Sequence, residues 1–521
     1  MRKTLLLLLT SAFALNMAAQ ESSDNDTFSR LKDSIEYKVD LQASFSKGKT
    51  PLWLNANKYG LSSLEKNNGY VRADIGRRVD VDNDRRWGLG YGLDVAVPYN
   101  YTSNFVVQQA FVEGRWLKGK LMVGAKEIPM ELKNNRLSSG AQTLGINARP
   151  VPQVRISLDD YWVIPYTKGW LQLKGHIAYG AMTDQKWQHE FTDKKTRYAD
   201  NLLYHSKAGY LHIGNTERFM PFSVDLGLEM SCIFGGTSYL PNSDGTMREI
   251  KNNTNFKSFW HAFVPGGGEV NEVTYRNAEG NQVGSWLLRL NYDAEQWDAH
   301  LYGEKFFDDH SAMLFVDYDG YGEGENWNKK EKHRYLFYDI KDMMLGFEFK
   351  YKYDRPITAV VFEYLYTKYQ SGPIYHDHNQ YISDHIGGND DFYNHHLTPG
   401  YQHWGQALGN PLYMSPIYNN DGNIEFKNNR FMALHLGVSG MIVNQLYYRL
   451  LATYQEGLGT YKKPLYDIHH NVSCMAEVEY KLNTRLLHGW SLKGAFGADM
   501  GGLLGHNYGG QLTLSKSGRL F

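Results

Sequence analysis

The sequence predicts an all-β chain, a transmembrane antiparallel outer-membrane β-barrel of about 18 strands. Three observations predict it. A secretory leader opens the chain, apolar and polar residues alternate with a period of two from Ile35 onward, and the connections sort into short and long by parity.

The leader comes first. Arg2 and Lys3 form a positive start, Leu5 to Leu15 an apolar stretch, and Ala18 and Ala19 precede Gln20 as a cleavage point. This assigns 1–19 as a signal peptide, too short to be a membrane helix. Residues 20–34 are polar and form a short periplasmic segment, with one helical turn expected around Phe28, Leu31 and Ile35. The barrel domain is expected over 35–521.

No later apolar run is long enough for a membrane helix, and the mean hydropathy is -0.51. Barrel strands are apolar on one face only and escape hydropathy scans. The 38 tyrosines, 24 phenylalanines and 12 tryptophans suit girdles at the two membrane interfaces. A net charge of -1 gives no field that would gather a nucleic acid.

The alternation is clean in several places. Leu226, Leu228 and Met230 are separated by Gly227 and Glu229; Leu345, Phe347 and Phe349 by Gly346 and Glu348; Val472, Cys474 and Ala476 by Ser473 and Met475. Strands are expected at 35–45, 69–81, 86–98, 104–117, 119–128, 153–166, 170–181, 203–213 and 222–233. The second half adds 284–292, 297–306, 343–353, 358–370, 430–441, 444–457, 471–481, 490–500 and 508–516. A sandwich also alternates. It has no reason, however, to make connections short after even-numbered strands and mostly long after odd-numbered ones. The long ones are 46–68, 129–152, 182–202, 234–283, 307–342 and 371–429. Both termini are then periplasmic and the long loops outside, with outer-membrane lipid around the barrel.

On this register Cys232 and Cys474 belong to the lipid-facing sets of distant strands, so no disulfide is expected. The chain ends on an aromatic, Phe521, as barrels commonly do. Leu512 and Leu514 are out of phase with it, so either Gly518 marks a bulge or Phe521 lies beyond the strand.

No G-x-S-x-G, H-E-x-x-H or phosphate-cradling loop occurs, and no nucleophile or carboxylate pair stands out, so no enzyme is expected. The loop 371–429 has the densest cluster of aromatic and histidine residues in the chain. Sugar C–H faces stack on rings while their hydroxyls need polar partners. Trp404 and Tyr393 are therefore the candidate stacking rings, with His395, His396, His403, Asp390 and Asp391 as polar candidates. The competing expectation makes the same rings the core of an ordered loop. His376, His378, His395 and His396 match no recognised metal spacing, so no metal or cofactor is expected.

Three stretches carry a resemblance. They are IGGNDDFYNHHLTPGYQHWGQALGNPLYMSP from Ile386 to Pro416, EYLYTKYQSGP from Glu363 to Pro373, and SSGAQTLGINARPVPQVRI from Ser138 to Ile156. With His205, Ser206 and Lys207, they resemble the Bacteroidetes branch of the Wzi-like capsule assembly proteins. The resemblance implies a monomeric outer-membrane barrel that binds capsular polysaccharide and assists its attachment at the cell surface. Enterobacterial members block the lumen with a periplasmic helical bundle. Residues 20–34 are too short for one, which leaves the closure of this lumen open. A porin or sugar channel on the same fold remains the alternative.

Overall fold

The computed structural model describes residues 33–215, 220–264, 280–308, 342–376, 385–482 and 484–520, with isolated positions between 309 and 341. The expected signal peptide and the helical turn at Phe28 and Leu31 lie outside the described residues; Ile35 opens a strand.

Eighteen strands form one closed antiparallel sheet. They are β1 (Ile35–Lys47), β2 (Asn67–Arg77), β3 (Trp87–Tyr99), β4 (Val106–Trp116), β5 (Gly119–Ala125) and β6 (Gln153–Val163). Next come β7 (Leu171–Ala181), β8 (Leu203–Ile213), β9 (Phe222–Phe234), β10 (Asn281–Asp293), β11 (Trp297–Asp308) and β12 (Met343–Tyr351). The last are β13 (Ala359–Tyr366), β14 (Phe431–Val443), β15 (Leu446–Gly459), β16 (Pro464–Leu482), β17 (Trp490–Gly501) and β18 (Asn507–Arg519). Each pairs with its sequence neighbour, and β1 closes the ring on β18. That closure leaves no edge strand with unpaired backbone groups, which is what hydrocarbon demands.

Alternation decides which face meets lipid. Leu41, Val71, Ile156, Leu226, Leu301, Phe347, Leu436 and Leu512 point out and are exposed. Asp94, Glu113, Asp225, Glu229, Glu304, Glu363, Glu477 and Asp499 point in and are buried. Trp87, Trp116, Trp162, Phe222 and Tyr480 ring the periplasmic ends of the strands; Phe45, Tyr99 and Tyr508 stand at the outer ends. Trp87 and Tyr99 bound β3, roughly 40 Å of strand at 3.3 Å per residue. A tilt near 40° reduces that to about 30 Å, a hydrocarbon thickness.

Loop parity holds, with three short outer connections at 100–105, 460–463 and 502–506. One strand is much longer than its alternation: β16 begins at Pro464 rather than near 471. Its outer half carries Asp467, His469 and His470 on a hairpin wetted on both faces, so hydropathy phase is lost there, while pairing with β15 reaches His469 and resumes across a register shift at Pro464.

One expectation about the wall needs correction, and one alternative is decided. Cys232 shares the outward set but does not face lipid. It is buried under a short outer helix, α3 (Phe256–Phe263), beside Phe234 and Ala262. Cys474 is outward and half-buried, and no disulfide joins the two. At the C-terminus the β1–β18 register runs unbroken through Tyr37 and Gly518, so Gly518 is no bulge. The strand ends at Arg519, and Phe521 is outside the described residues.

The lumen is filled by the chain's own outer loops. Loop 48–66 folds inward through one helical turn, α1 (Leu52–Asn55). The Leu52 amide donates to Asp499 at 3.1 Å, and Trp53 Nε1 donates to Thr453 Oγ1 at 3.1 Å. Loop 126–152 runs across the barrel. Lys133 meets Glu304 at 2.9 Å, Ser138 Oγ donates to Glu363 at 2.6 Å, and His435 Nε2 donates to the Leu137 carbonyl at 2.8 Å. Thr143 Oγ1 bonds Ser285 Oγ at 2.7 Å. Gly437 permits this crossing: a side chain there would collide with the Leu137 carbonyl. Strand carboxylates that would otherwise be buried charges thus receive donors from the plug.

Candidate functional site

The segment 390–430 lies over this plug, and its rings form a core. Phe392, Tyr393, Tyr401, Tyr413 and Phe426 are buried together with Phe306 of β11 and Phe431 of β14. Tyr393 stacks on Tyr413 with ring centroids 4.0 Å apart. Its hydroxyl donates to the Gln142 carbonyl and accepts from the Asn410 amide, and its own amide donates to Asp308. Tyr393 has 0% of its surface exposed, so no ring face is free for a sugar. Of the two expectations for this ring, the packed-loop one describes it.

The other candidates fall into two groups bridged by loop 182–202, which carries α2 (Gln185–Thr192). The first group surrounds Trp404. His403 is buried with both nitrogens occupied: Nδ1 donates to the Arg149 carbonyl at 2.9 Å, and Nε2 accepts from the Thr183 amide and lies 3.0 Å from its hydroxyl. Trp404 is half-buried and retains open surface. Its Nε1 donates to Thr183 Oγ1 at 3.3 Å, and its amide donates to Asp184 at 3.3 Å. The Arg149 guanidinium sits 4.3 Å from the Trp404 ring centroid. That cation donates to the hydroxyls of Ser103 and Thr102. Burial lowers its pKa to about 10, partly opposed by Tyr101 and Asp184. It remains charged at neutral pH, held by a ring and hydroxyls.

The second group lies around Arg197, which donates to the His395 carbonyl. His395 Nδ1 accepts from the Thr398 amide at 3.1 Å, and the exposed His396 ring is 4.4 Å away. Asp391 is half-buried and accepts from Asn394 and Asn429 at 2.9 and 2.6 Å; Lys462 is 3.5 Å from its other oxygen. Asp390 is half-buried, with its amide donating to the Gln370 carbonyl at 3.0 Å. Thr183, Asp184 and Arg149 escaped sequence reasoning. Arg149 stands within a resemblance motif, yet no local pattern marks a lone arginine as the partner of a tryptophan 255 positions on.

One cavity of about 90 Å³ lies inside, between loop 126–152 and the wall of β6 to β9, lined by Arg155, His176, Tyr204, Tyr210 and Glu229 among others. It is well below the roughly 300–1,000 Å³ of ligand pockets. Among the described residues no cluster of metal-ligating side chains occurs.

No family model matches the chain, and no curated protein matches it. Solved structures do. One is Wzi of Escherichia coli, described as an outer-membrane protein involved in group 1 capsule assembly and as a carbohydrate-binding β-barrel. It matches at 12% identity over 94% of this chain and 86% of that one, with a TM-score of 0.54. OccK5 (OpdH) of Pseudomonas aeruginosa matches at 8% identity over 94% and 98%, with a TM-score of 0.44. OccAB2 of Acinetobacter baumannii matches at 10% identity over 94% and 98%, with a TM-score of 0.43. The first likeness is one of fold. With the closed sheet, the outward apolar band and its two girdles, it makes this chain an 18-stranded outer-membrane β-barrel.

Proposed function

We propose that this barrel binds capsular polysaccharide at its outer face, as a monomer, and assists attachment of that polymer to the cell surface. The observation that carries the reading is the plug. Loop 126–152 is fastened to inward residues of β10, β11, β13 and β14, and 390–430 is packed over it. Loops held this way form a rigid surface, the form in which a binding site is best preorganised. On that surface Trp404 offers a ring, with Thr183, Asp184 and Arg149 around it. The sequence motifs supply the ligand class, and the fold of a carbohydrate-binding barrel agrees with it.

The test is a titration of purified capsular polysaccharide against the detergent-solubilised chain and its Trp404→Ala variant. Loss of one ring contact is worth about 0.5–1.5 kcal/mol. Binding should therefore weaken about two- to tenfold. A folded variant that binds as tightly as the parent removes Trp404 from the site. A parent that binds no capsular polymer refutes the reading.

A further inference from the structure

Helix α3 lies outside the barrel, not over its mouth. Asn255 caps it, its side chain accepting from the Ser258 amide at 3.0 Å. Its inner side is fastened to the outward faces of three strands, β7 to β9, and to Gln282 of β10, which donates to the His261 carbonyl at 3.2 Å. Tyr179 of β7 donates its hydroxyl to the Phe259 carbonyl at 2.9 Å, and Phe259 packs edge-on against Phe234 of β9. Lys207 of β8 projects outward and donates to the carbonyls of Ala262 and Phe263, the last turn, where a cation is favoured. Ser258, His261 and Ala262 are buried by this contact.

The opposite side is apolar and uncovered. Phe256 is 84% exposed and Trp260 53%, and Val264 continues the row one turn on. The spacing of four puts Phe256 and Trp260 on one helical face, and Val264 follows as the C-cap residue, its backbone already extended. Beside them Lys257 is exposed. Below this helix the outward faces of the same three strands carry Ile177, Leu211 and Leu226, part of the lipid-facing band. From Leu226 to Cys232, which α3 covers, β9 rises about 20 Å. A tilt near 40° brings that to about 15 Å. The apolar row thus continues the lipid band at its outer margin.

We propose that α3 is an interfacial helix that beds Phe256, Trp260 and Val264 into the acyl–headgroup boundary of the outer leaflet, with Lys257 among the headgroups. An amphipathic helix with large rings on one face and a cation at its edge is suited to that depth. The proposal is independent of what the outer mouth binds. It also gives His205, Lys207 and Cys232 a part in footing the helix: His205 and Lys207 each contact Phe263, and Cys232 lies beneath Ala262.

The test places a nitroxide at Trp260→Cys, in a Cys232→Val, Cys474→Ala background of the full chain. The protein is reconstituted in phosphatidylethanolamine–phosphatidylglycerol vesicles, with refolding checked by heat-modifiability. Phe256→Cys is a second position, and Asp244→Cys, on an exposed outer turn, is the aqueous control. At 260 and 256, collisions with oxygen should exceed those with a water-soluble nickel chelate; at 244 the order should reverse. A label at 260 and 256 that meets the chelate as freely as the control overturns the proposal. So does one shielded from both reagents, which would place a second protein copy on this face.

Discussion

Residue by residue, the rings of 390–430 divide by what their polar atoms find. Tyr393 satisfies its hydroxyl twice and stacks on Tyr413, so its contribution is to folding. Tyr393→Ala should cost about 3–5 kcal/mol, the range for emptying an aromatic site in a core. A lowered denaturation midpoint would show it. Trp404 is the contrasting residue, with surface left over for a ligand. His395 adds a pH dependence. Burial, then His396, Arg197 and Lys462, hold its pKa well below 6.5, and its Nδ1 accepts from the Thr398 amide, which a protonated ring cannot do. Since the folded value is depressed, protonation favours the opened loop. This contribution is present above about pH 6.5 and is lost as pH falls below it. Hydrogen exchange in 390–400 should therefore quicken more between pH 7.5 and 5.5, after correction for intrinsic rates, in the parent than in His395→Asn. Equal corrected changes would contradict this. The sequence placed both rings in one loop and left packing and binding open. A tyrosine in an exposed loop and one in a plug read alike, because the partners of Tyr393 lie at Gln142 and Asp308, far away in sequence.

Among the elements, strands were legible because a lipid face and a water face impose a period of two, and each expected strand corresponds to one found. Where both faces meet water, as in outer β16, the period vanished with the contrast that makes it. The plug was illegible. Residues 126–152 carry no periodicity, and their partners Glu304, Glu363 and His435 read as ordinary lumen residues. At strand scale, Leu226→Arg puts a charge on a lipid-facing position that is 42% exposed, at about 2–4 kcal/mol if it lies near the midplane. Asp225→Asn is also costly, because Asp225 accepts from Tyr161, His212 and Asn291. Bonds to a charged acceptor are worth more than neutral ones, so about 1–3 kcal/mol is expected there. Heat-modifiability on gels ranks the two, and Leu226→Arg should be at least as destabilising.

At the scale of the whole molecule, parity of loop length fixes which end faces outward. A tag inserted at Gly245, in an exposed outer turn, should be labelled on intact cells, and one at Val443, the last residue of β14 beside its two-residue turn, should not. The reverse pattern would invert the barrel. The fold alone leaves two functions open, since a barrel of this size serves a channel as readily as a surface binder. What separates them is the material in the lumen, and the most direct measurement is liposome swelling in isotonic small sugars. Vesicles carrying the intact chain should swell no faster than protein-free vesicles. Vesicles carrying a variant with residues 130–148 replaced by a short Gly–Ser bridge should swell readily. An intact chain that admits sugars as fast as the bridged variant would contradict the plugged barrel and the binding role built on it.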